Sequence, residues 1–266
     1  MPRRDAPRRG PSFPYLAEDI DFPFPSPASA DAQGIVCAGG KLSPGLLLSA
    51  YRQGIFPWFS EGEDILWWSP DPRFVLFPEE LHVSATMRKL LRRRSREEGY
   101  GLALDRGFPA VIRACASSPR PGQDGTWITE GMIEAYIELH RLGYAHSVEA
   151  WRGDELVGGL YGVALGGMFF GESMFSREDD ASKAAFIPLV WRLREEGFTL
   201  VDSQVYTDHL AGLGAREIAR LEYLSLLTGS LAGRSATPTR KGNWSELFPG
   251  FPDSTEYRRI VSKENA

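Results

Sequence analysis

Two apolar, strand-like segments of the sequence carry polar side chains that could do chemistry. Glu172 lies within the segment 169–175, and Asp202 and Gln204 lie within the segment 200–205. Because side chains alternate along a strand, Asp202 and Gln204 are predicted to share one face, with Ser203 on the other. A carboxylate in an apolar strand is costly unless it is paired or functional. The pattern therefore indicates either a candidate catalytic cluster or a buried, hydrogen-bonded pair.

A second set of candidates is a run of basic side chains on one predicted helix. Its members are Arg88, Lys89, Arg92, Arg93, Arg94 and Arg96. Charge runs are usually solvated helix faces, but six cations in nine residues could also contact the phosphates of a nucleic acid. Trp58 and Trp127 lie beside turns and prolines, where an aromatic ring could stack on an unpaired base. The alternative for each Trp is an ordinary place in the core.

Composition excludes several other classes of protein. The chain has 266 residues, of which 42% are hydrophobic and 24% charged, and a net charge of -5. This is globular composition without a global nucleic-acid signal. No apolar run approaches the roughly 20 residues of a membrane span, and no apolar region follows the basic N-terminus. Two cysteines and four scattered histidines lack metal-ligand spacing. We therefore expect a cytoplasmic protein with no metal, no cofactor and no membrane partner.

Helices and strands must alternate along the chain to position these side chains. Helix starts are predicted at Ser43-Pro44, Ser84, Phe108, Thr129 and Asp180 and near Ile218. Strands are predicted over 74–77, 100–104, 145–151, 155–165, 168–175 and 198–205. This order, with an antiparallel meander in the middle, predicts an α+β fold with a mixed, largely antiparallel sheet. The predicted divisions are a disordered basic extension over 1–13, a small N-terminal domain over 14–73, a sheet domain over 74–233 and a loosely ordered tail over 234–266.

Short sequence blocks in a fixed order carry a resemblance to a known family. The most specific are WWSPDPR at 67–73 and GESMFSR at 171–177. YRQGIFPWF at 51–59, GTWIT at 125–129 and DSQ at 202–204 accompany them. Together the blocks resemble the leucyl/phenylalanyl-tRNA–protein transferases over about residues 34–228. The resemblance implies a small N-terminal domain packed on a GNAT-like, that is acetyltransferase-like, catalytic domain.

The resemblance also implies an activity. A monomeric aminoacyltransferase of this family would move Leu or Phe, and also Met, from aminoacyl-tRNA to acceptor proteins. The acceptors would begin with Arg or Lys and would be marked for degradation by the N-degron pathway. An aminoacyl ester is already activated, so neither ATP nor coenzyme A is needed to make the amide.

Particular residues match positions with family roles. Trp58 and Trp127 match positions that hold the 3′-terminal adenosine, and Asp202 and Gln204 match the proposed catalytic pair. The positions that match the pocket for the aminoacyl side chain are Phe169, Glu172, Met174 and Leu189. Between the catalytic pair the family commonly has Cys or Val, and this chain has Ser203.

Three other functions remain alternatives. A cell-wall peptide-bridge transferase also uses aminoacyl-tRNA, but it lacks the WWSPDPR block and is usually longer. An acetyl-CoA N-acetyltransferase would need a pyrophosphate loop opening a helix, and the matching pattern at 96–101 instead leads into a strand. A non-catalytic RNA-binding protein would use the basic helix equally well.

Overall fold

Two sheets organise the computed structural model, which describes residues 22–94, 100–118, 126–232 and 241–252. The strands are β1 (Ile35–Ala38), β2 (Phe56–Pro57), β3 (Leu66–Trp68), β4 (Arg73–Leu76), β5 (Gly101–Leu104), β6 (Ala145–Arg152), β7 (Glu155–Leu165), β8 (Met168–Ser176), β9 (Leu200–Gln204) and β10 (Arg216–Ile218). The helices are α1 (Pro44–Arg52), α2 (Ala85–Arg94), α3 (Phe108–Ser117), α4 (Glu130–Arg141), α5 (Ala181–Glu195), α6 (Asp208–Ala211), α7 (Arg220–Leu231) and α8 (Trp244–Leu247). The fold is therefore a mixed α+β fold, as predicted.

The N-terminal part combines helix α1 with a small antiparallel sheet in the order β1-β3-β2. Ser43 caps α1 by accepting a hydrogen bond from the backbone N–H of Leu46, and Pro44 takes the first helical position, where its missing N–H has no cost. The helix ends before Gly54, whose φ of +76° is a conformation that glycine adopts without a steric penalty. The sequence predicted both ends of this helix and missed the three short strands.

The larger sheet has the order β10-β4-β9-β8-β7-β6-β5. Neighbouring strands are antiparallel except β8 and β9, which are parallel. A parallel pair needs a long crossover, and helix α5 supplies it. The sheet is thus mixed and largely antiparallel, as predicted.

Strands β8 and β9 separate soon after they pair. Their register joins Met168–Phe170 to Leu200–Asp202 and extends no further. The remaining residues of β8 continue to pair with β7, with an irregularity next to Gly171. A split therefore opens in the sheet beyond Phe170 and Asp202, at the carboxyl ends of the two parallel strands.

The segment 241–252 is packed, which differs from the loosely ordered tail predicted beyond residue 233. Trp244 is fully buried and stacks on His146 with a centroid distance of 3.9 Å. Its backbone N–H donates to Oδ2 of Asp105 at 2.7 Å. Aromatic side chains at 244, 248 and 251 provide enough apolar area to fix a segment that otherwise lacks periodicity. Within the described ranges, no helix is both long and apolar enough to cross a membrane.

Candidate active site

A cavity of about 790 Å³ lies where β8 and β9 separate. Its polar lining includes Glu172, Ser203 and Gln204. The apolar and aromatic lining residues include Phe56, Trp58, Trp127, Leu160, Met174, Phe186, Val201 and Leu210. Aromatic side chains from the N-terminal part and polar groups from the split sheet therefore meet at one cavity.

Glu172 is held in the cavity wall by two tyrosines. The Tyr51 hydroxyl donates to Oε1 of Glu172 at 2.7 Å, and the Tyr136 hydroxyl approaches Oε2 at 3.1 Å. The two hydroxyls are also hydrogen-bonded to each other. Burial raises the pKa of the Glu172 carboxyl to about 7, although the hydrogen bonds from both tyrosines oppose the shift.

Asp202 lies behind the cavity rather than in its lining. Its side chain is fully buried and forms a bidentate ion pair with Arg73, from Nε to Oδ1 at 2.8 Å and from Nη2 to Oδ2 at 2.7 Å. The Tyr223 hydroxyl donates to Oδ2 and the backbone N–H of Gln204 donates to Oδ1. These four donors match the roughly four acceptor sites of a carboxylate. Of the two alternatives from the sequence, Asp202 has the geometry of the buried, hydrogen-bonded pair.

Gln204 has a left-handed backbone, with φ of +61°. This conformation is uncommon for a residue with a side chain, and the hydrogen bond from its N–H to Asp202 helps to hold it. The side-chain amide Nε2 lies 3.5 Å from Oε1 of Glu172. Consecutive residues Ser203 and Gln204 both line the cavity. The Ser203 hydroxyl is buried, so this lining does not show that the side chain points into the cavity, and its predicted opposite direction stays a prediction.

The predicted aminoacyl-pocket residues divide into two groups. Glu172 and Met174 line the cavity. Phe169 and Leu189 are fully buried and are not among the lining residues. Phe169 lies in the paired part of β8, opposite Val201, before the strands separate, and Leu189 lies within the buried helix α5. Phe186 of the same helix lines the cavity instead.

The basic helix lies outside the cavity lining. Lys89 and Arg92 are exposed and Arg88 is partly buried, and none of the three lines the cavity. The side chains of Arg93 and Arg94, and all of Arg96, lie outside the described residues.

Four residues of the site were missed by reasoning from the sequence. Arg73 ends the WWSPDPR block and Tyr51 begins the YRQGIFPWF block, but neither was given a role. Tyr136 and Tyr223 lie on helices α4 and α7. A tyrosine at helical spacing looks the same whether its hydroxyl meets a carboxylate or only fills the core. The one available signal was a charged Arg73 at the start of an apolar strand.

Comparison with known proteins agrees with the sequence blocks. The family model described as leucyl/phenylalanyl-tRNA protein transferase matches residues 75–228, and the model of its N-terminal domain matches residues 40–71. A leucyl/phenylalanyl-tRNA–protein transferase of Syntrophus aciditrophicus (strain SB) is 59% identical over 222 residues, which cover 84% of this chain and 90% of the relative. One of Pseudomonas fluorescens (strain Pf0-1) is 58% identical over 212 residues, which cover 80% and 92%.

A solved structure also shares some similarity. A functionally unknown conserved protein from Staphylococcus epidermidis is 12% identical, with a TM-score of 0.38 over 70% of this chain and 68% of that one. A TM-score this low does not establish a shared fold, so the GNAT-like arrangement stays a prediction.

The family matches and the high identities define an aminoacyltransferase with a separate N-terminal domain. The chain belongs to the leucyl/phenylalanyl-tRNA–protein transferase family.

Proposed function

We propose that this protein transfers Leu or Phe, and also Met, from aminoacyl-tRNA to acceptor proteins that begin with Arg or Lys. The transferred residue would mark the acceptor for degradation through the N-degron pathway. The observation that carries the proposal is a cavity of about 790 Å³ that combines Trp58 and Trp127 with Met174, Glu172 and Gln204. A stacking surface, an apolar compartment and reactive polar groups are what an aminoacylated tRNA end requires.

The aminoacylated end of the tRNA would occupy the cavity in two parts. The 3′-terminal adenine stacks on Trp58 and Trp127, because aromatic rings bind unpaired bases by their faces. The aminoacyl side chain occupies the apolar lining formed by Leu160, Met174 and Phe186. Side chains that are unbranched at Cβ fit best, and a misplaced methyl group in such a pocket costs about 1–3 kcal/mol.

Much of the rate acceleration would come from positioning the two substrates. A protein α-amino group has a pKa of about 7.7–8.0, so part of it is neutral and nucleophilic near neutral pH. The Gln204 amide directs Nε2 toward Glu172, which leaves its carbonyl oxygen to accept a hydrogen bond from the attacking amine. Gln204 therefore orients the nucleophile, and as an amide it does not titrate.

Asp202 contributes as a positioning residue. Its carboxylate holds the backbone N–H of Gln204 and is itself fixed by Arg73 and Tyr223. The side chain of Gln204 is thus aimed into the cavity through its own strained backbone. Asp202 acts on the reaction through Gln204, without contacting the substrate.

The basic helix would contact tRNA phosphates outside the cavity. Its described cations are Arg88, Lys89 and Arg92, and Arg93, Arg94 and Arg96 extend the same charge run in the sequence. Each phosphate contact releases counterions, so this part of the affinity decreases with salt. The protein works as a monomer in this proposal, with one tRNA and one acceptor bound at a time.

The test measures label transfer from radiolabelled Phe-tRNA to a protein with N-terminal Arg. A matched protein with N-terminal Ala is the negative acceptor, and Glu155→Gln, an exposed substitution outside the cavity, is the control variant. We expect transfer to the Arg acceptor alone, with Gln204→Ala slower by about 100-fold, the usual cost of removing one preorganised hydrogen-bonding group. Binding of Phe-tRNA without any transfer would refute the proposal and favour an RNA-binding protein.

A further inference from the structure

Glu172, in the cavity wall, forms a closed ring of hydrogen bonds with two buried tyrosines that are outside the cavity lining. Oη of Tyr51 meets Oε1 of Glu172, Oη of Tyr136 meets Oε2 of Glu172, and the two hydroxyls meet each other. Three hydrogen bonds need three protons, and two phenols supply two. The third proton can come from the Glu172 carboxyl. The ring is therefore complete when Glu172 is protonated, so this arrangement has a place for one extra proton.

Glu172 is also the group of this ring that faces the reaction. It lines the cavity next to Gln204, with Nε2 of Gln204 3.5 Å from Oε1. Among the described lining residues it is the only carboxylate. Asp202 has all its acceptor sites filled by Arg73, Tyr223 and the Gln204 backbone. Of these two carboxylates, Glu172 rather than Asp202 is therefore available to accept a proton released in the cavity.

The charges around Glu172 allow its carboxyl to titrate near neutral pH. Burial raises its pKa to about 7, the hydrogen bonds from Tyr51 on α1 and Tyr136 on α4 lower it, and the negative Asp202 on β9 raises it while the positive Arg73 on β4 lowers it. Because Asp202 and Arg73 form an ion pair with each other, their effects on Glu172 largely cancel. An acid or base is most effective when its pKa lies near the working pH.

We propose that Glu172 is a catalytic residue that carries the proton from the acceptor amine to the leaving tRNA oxygen. The amine nitrogen attacks the ester carbonyl and gives its proton to the Glu172 carboxylate as the C–N bond forms. The C–O bond to the tRNA 3′-oxygen then breaks, and that oxygen takes the proton back from Glu172. The products are an amide and a free tRNA hydroxyl, and the carboxylate is regenerated. This inference rests on the proposed function, and it assigns to Glu172 the proton transfer that Gln204 cannot perform.

The test is the pH dependence of the single-turnover rate with Phe-tRNA and an Arg acceptor. Glu172→Gln keeps the shape and the acceptor oxygen of the side chain but cannot take a proton. We expect it to slow the rate by about 10²–10⁴-fold while leaving the KM for Phe-tRNA nearly unchanged. Tyr136→Phe removes a hydrogen bond that stabilises the carboxylate, so the acidic limb of the profile moves to higher pH.

Two controls separate this role from others. Tyr144→Phe removes the hydroxyl of a buried tyrosine outside the cavity lining and should leave the profile in place. The acceptor amine titrates in the same way with every variant. A shift of the acidic limb in Tyr136→Phe relative to the wild type therefore reports on Glu172. An unmoved limb in that variant, or a Glu172→Gln variant with a near-normal rate, would overturn the inference. A wild-type protein that binds Phe-tRNA but transfers nothing would instead overturn the proposed function itself.

Discussion

Removing the Arg73 side chain should destabilise the protein far more than removing an exposed arginine. Arg73 is fully buried and donates two hydrogen bonds to Asp202, and its guanidinium also lies over the rings of Phe56 and Tyr223 at 4.8 and 4.5 Å. In Arg73→Leu the Asp202 carboxylate stays buried without its cation. Breaking a buried pair in this way costs about 3–5 kcal/mol. That is a large part of the roughly 5–15 kcal/mol that keeps a domain folded.

Urea unfolding followed by circular dichroism measures this loss. The matched control is Arg113→Leu, which breaks a similar two-point contact with Glu130 at 2.9 and 3.1 Å that is exposed to solvent. Exposed pairs contribute little because water solvates both partners when they separate. We expect the unfolding midpoint of Arg113→Leu to stay close to that of the wild type.

The double variant Arg73→Leu/Asp202→Leu completes the comparison. It replaces both members of the ion pair, so no unpaired charge stays buried. It should therefore recover much of the stability that the single variant loses. If Arg73→Leu unfolds at the same urea concentration as Arg113→Leu, the buried, unpaired charge of Asp202 does not control the stability and the reasoning fails.

Three further predictions concern other parts of the molecule. Burial raises the pKa of Glu149 from its ordinary 4.5 to about 7, so the fold binds this proton more tightly than the unfolded chain, and this contribution is lost as pH rises from 4.5 to 7. At pH 8 the free energy of unfolding of Glu149→Gln, measured with urea, should therefore exceed that of the wild type by about 3 kcal/mol at most. The difference should disappear at pH 4. Trp244→Ala should lower the free energy of unfolding by about 3–5 kcal/mol, since Trp244 is fully buried; a change below about 1 kcal/mol would mean that segment 241–252 does not pack as described. Trp58→Ala should raise the KM for Phe-tRNA by about tenfold through the loss of one stacked base, measured by initial rates with acceptor in excess, and an unchanged KM would refute the proposed stacking.

Local sequence signals predicted the elements that carry the site. The Ser43-Pro44 start of α1 and the meander of β6, β7 and β8 follow from caps, turns and alternation. The short strands β1, β2, β3 and β10 were missed because segments of two to four residues hold too little pattern to distinguish them from loops. The packing of segment 241–252 was missed because Trp244 finds its partner His146 almost a hundred residues away, and such long-range contacts leave no local signal.

The site itself was predictable as residue types but not as contacts. Glu172, Asp202 and Gln204 were singled out because polar groups in apolar strands are costly. Which of them reaches the cavity depends on one left-handed residue, Gln204, and on Arg73, whose pairing with Asp202 spans 129 positions. Neither property is a function of spacing along the chain.

The contacts between the N-terminal elements and the large sheet affect how substrates enter. Arg73 also donates to the carbonyl of Gly54, two residues after the end of helix α1, so one guanidinium joins the N-terminal elements to β9. Swinging these elements apart would break the hydrogen bonds from Arg73 to Gly54 and from Tyr51 to Glu172 at a cost of about 2–4 kcal/mol, which leaves no more than about a few molecules in a hundred open at any moment. We therefore expect a preformed receptor rather than a clamp that closes on its ligand. The tRNA end would enter a cavity that is already formed, so association should show one binding phase without a slow rearrangement after it.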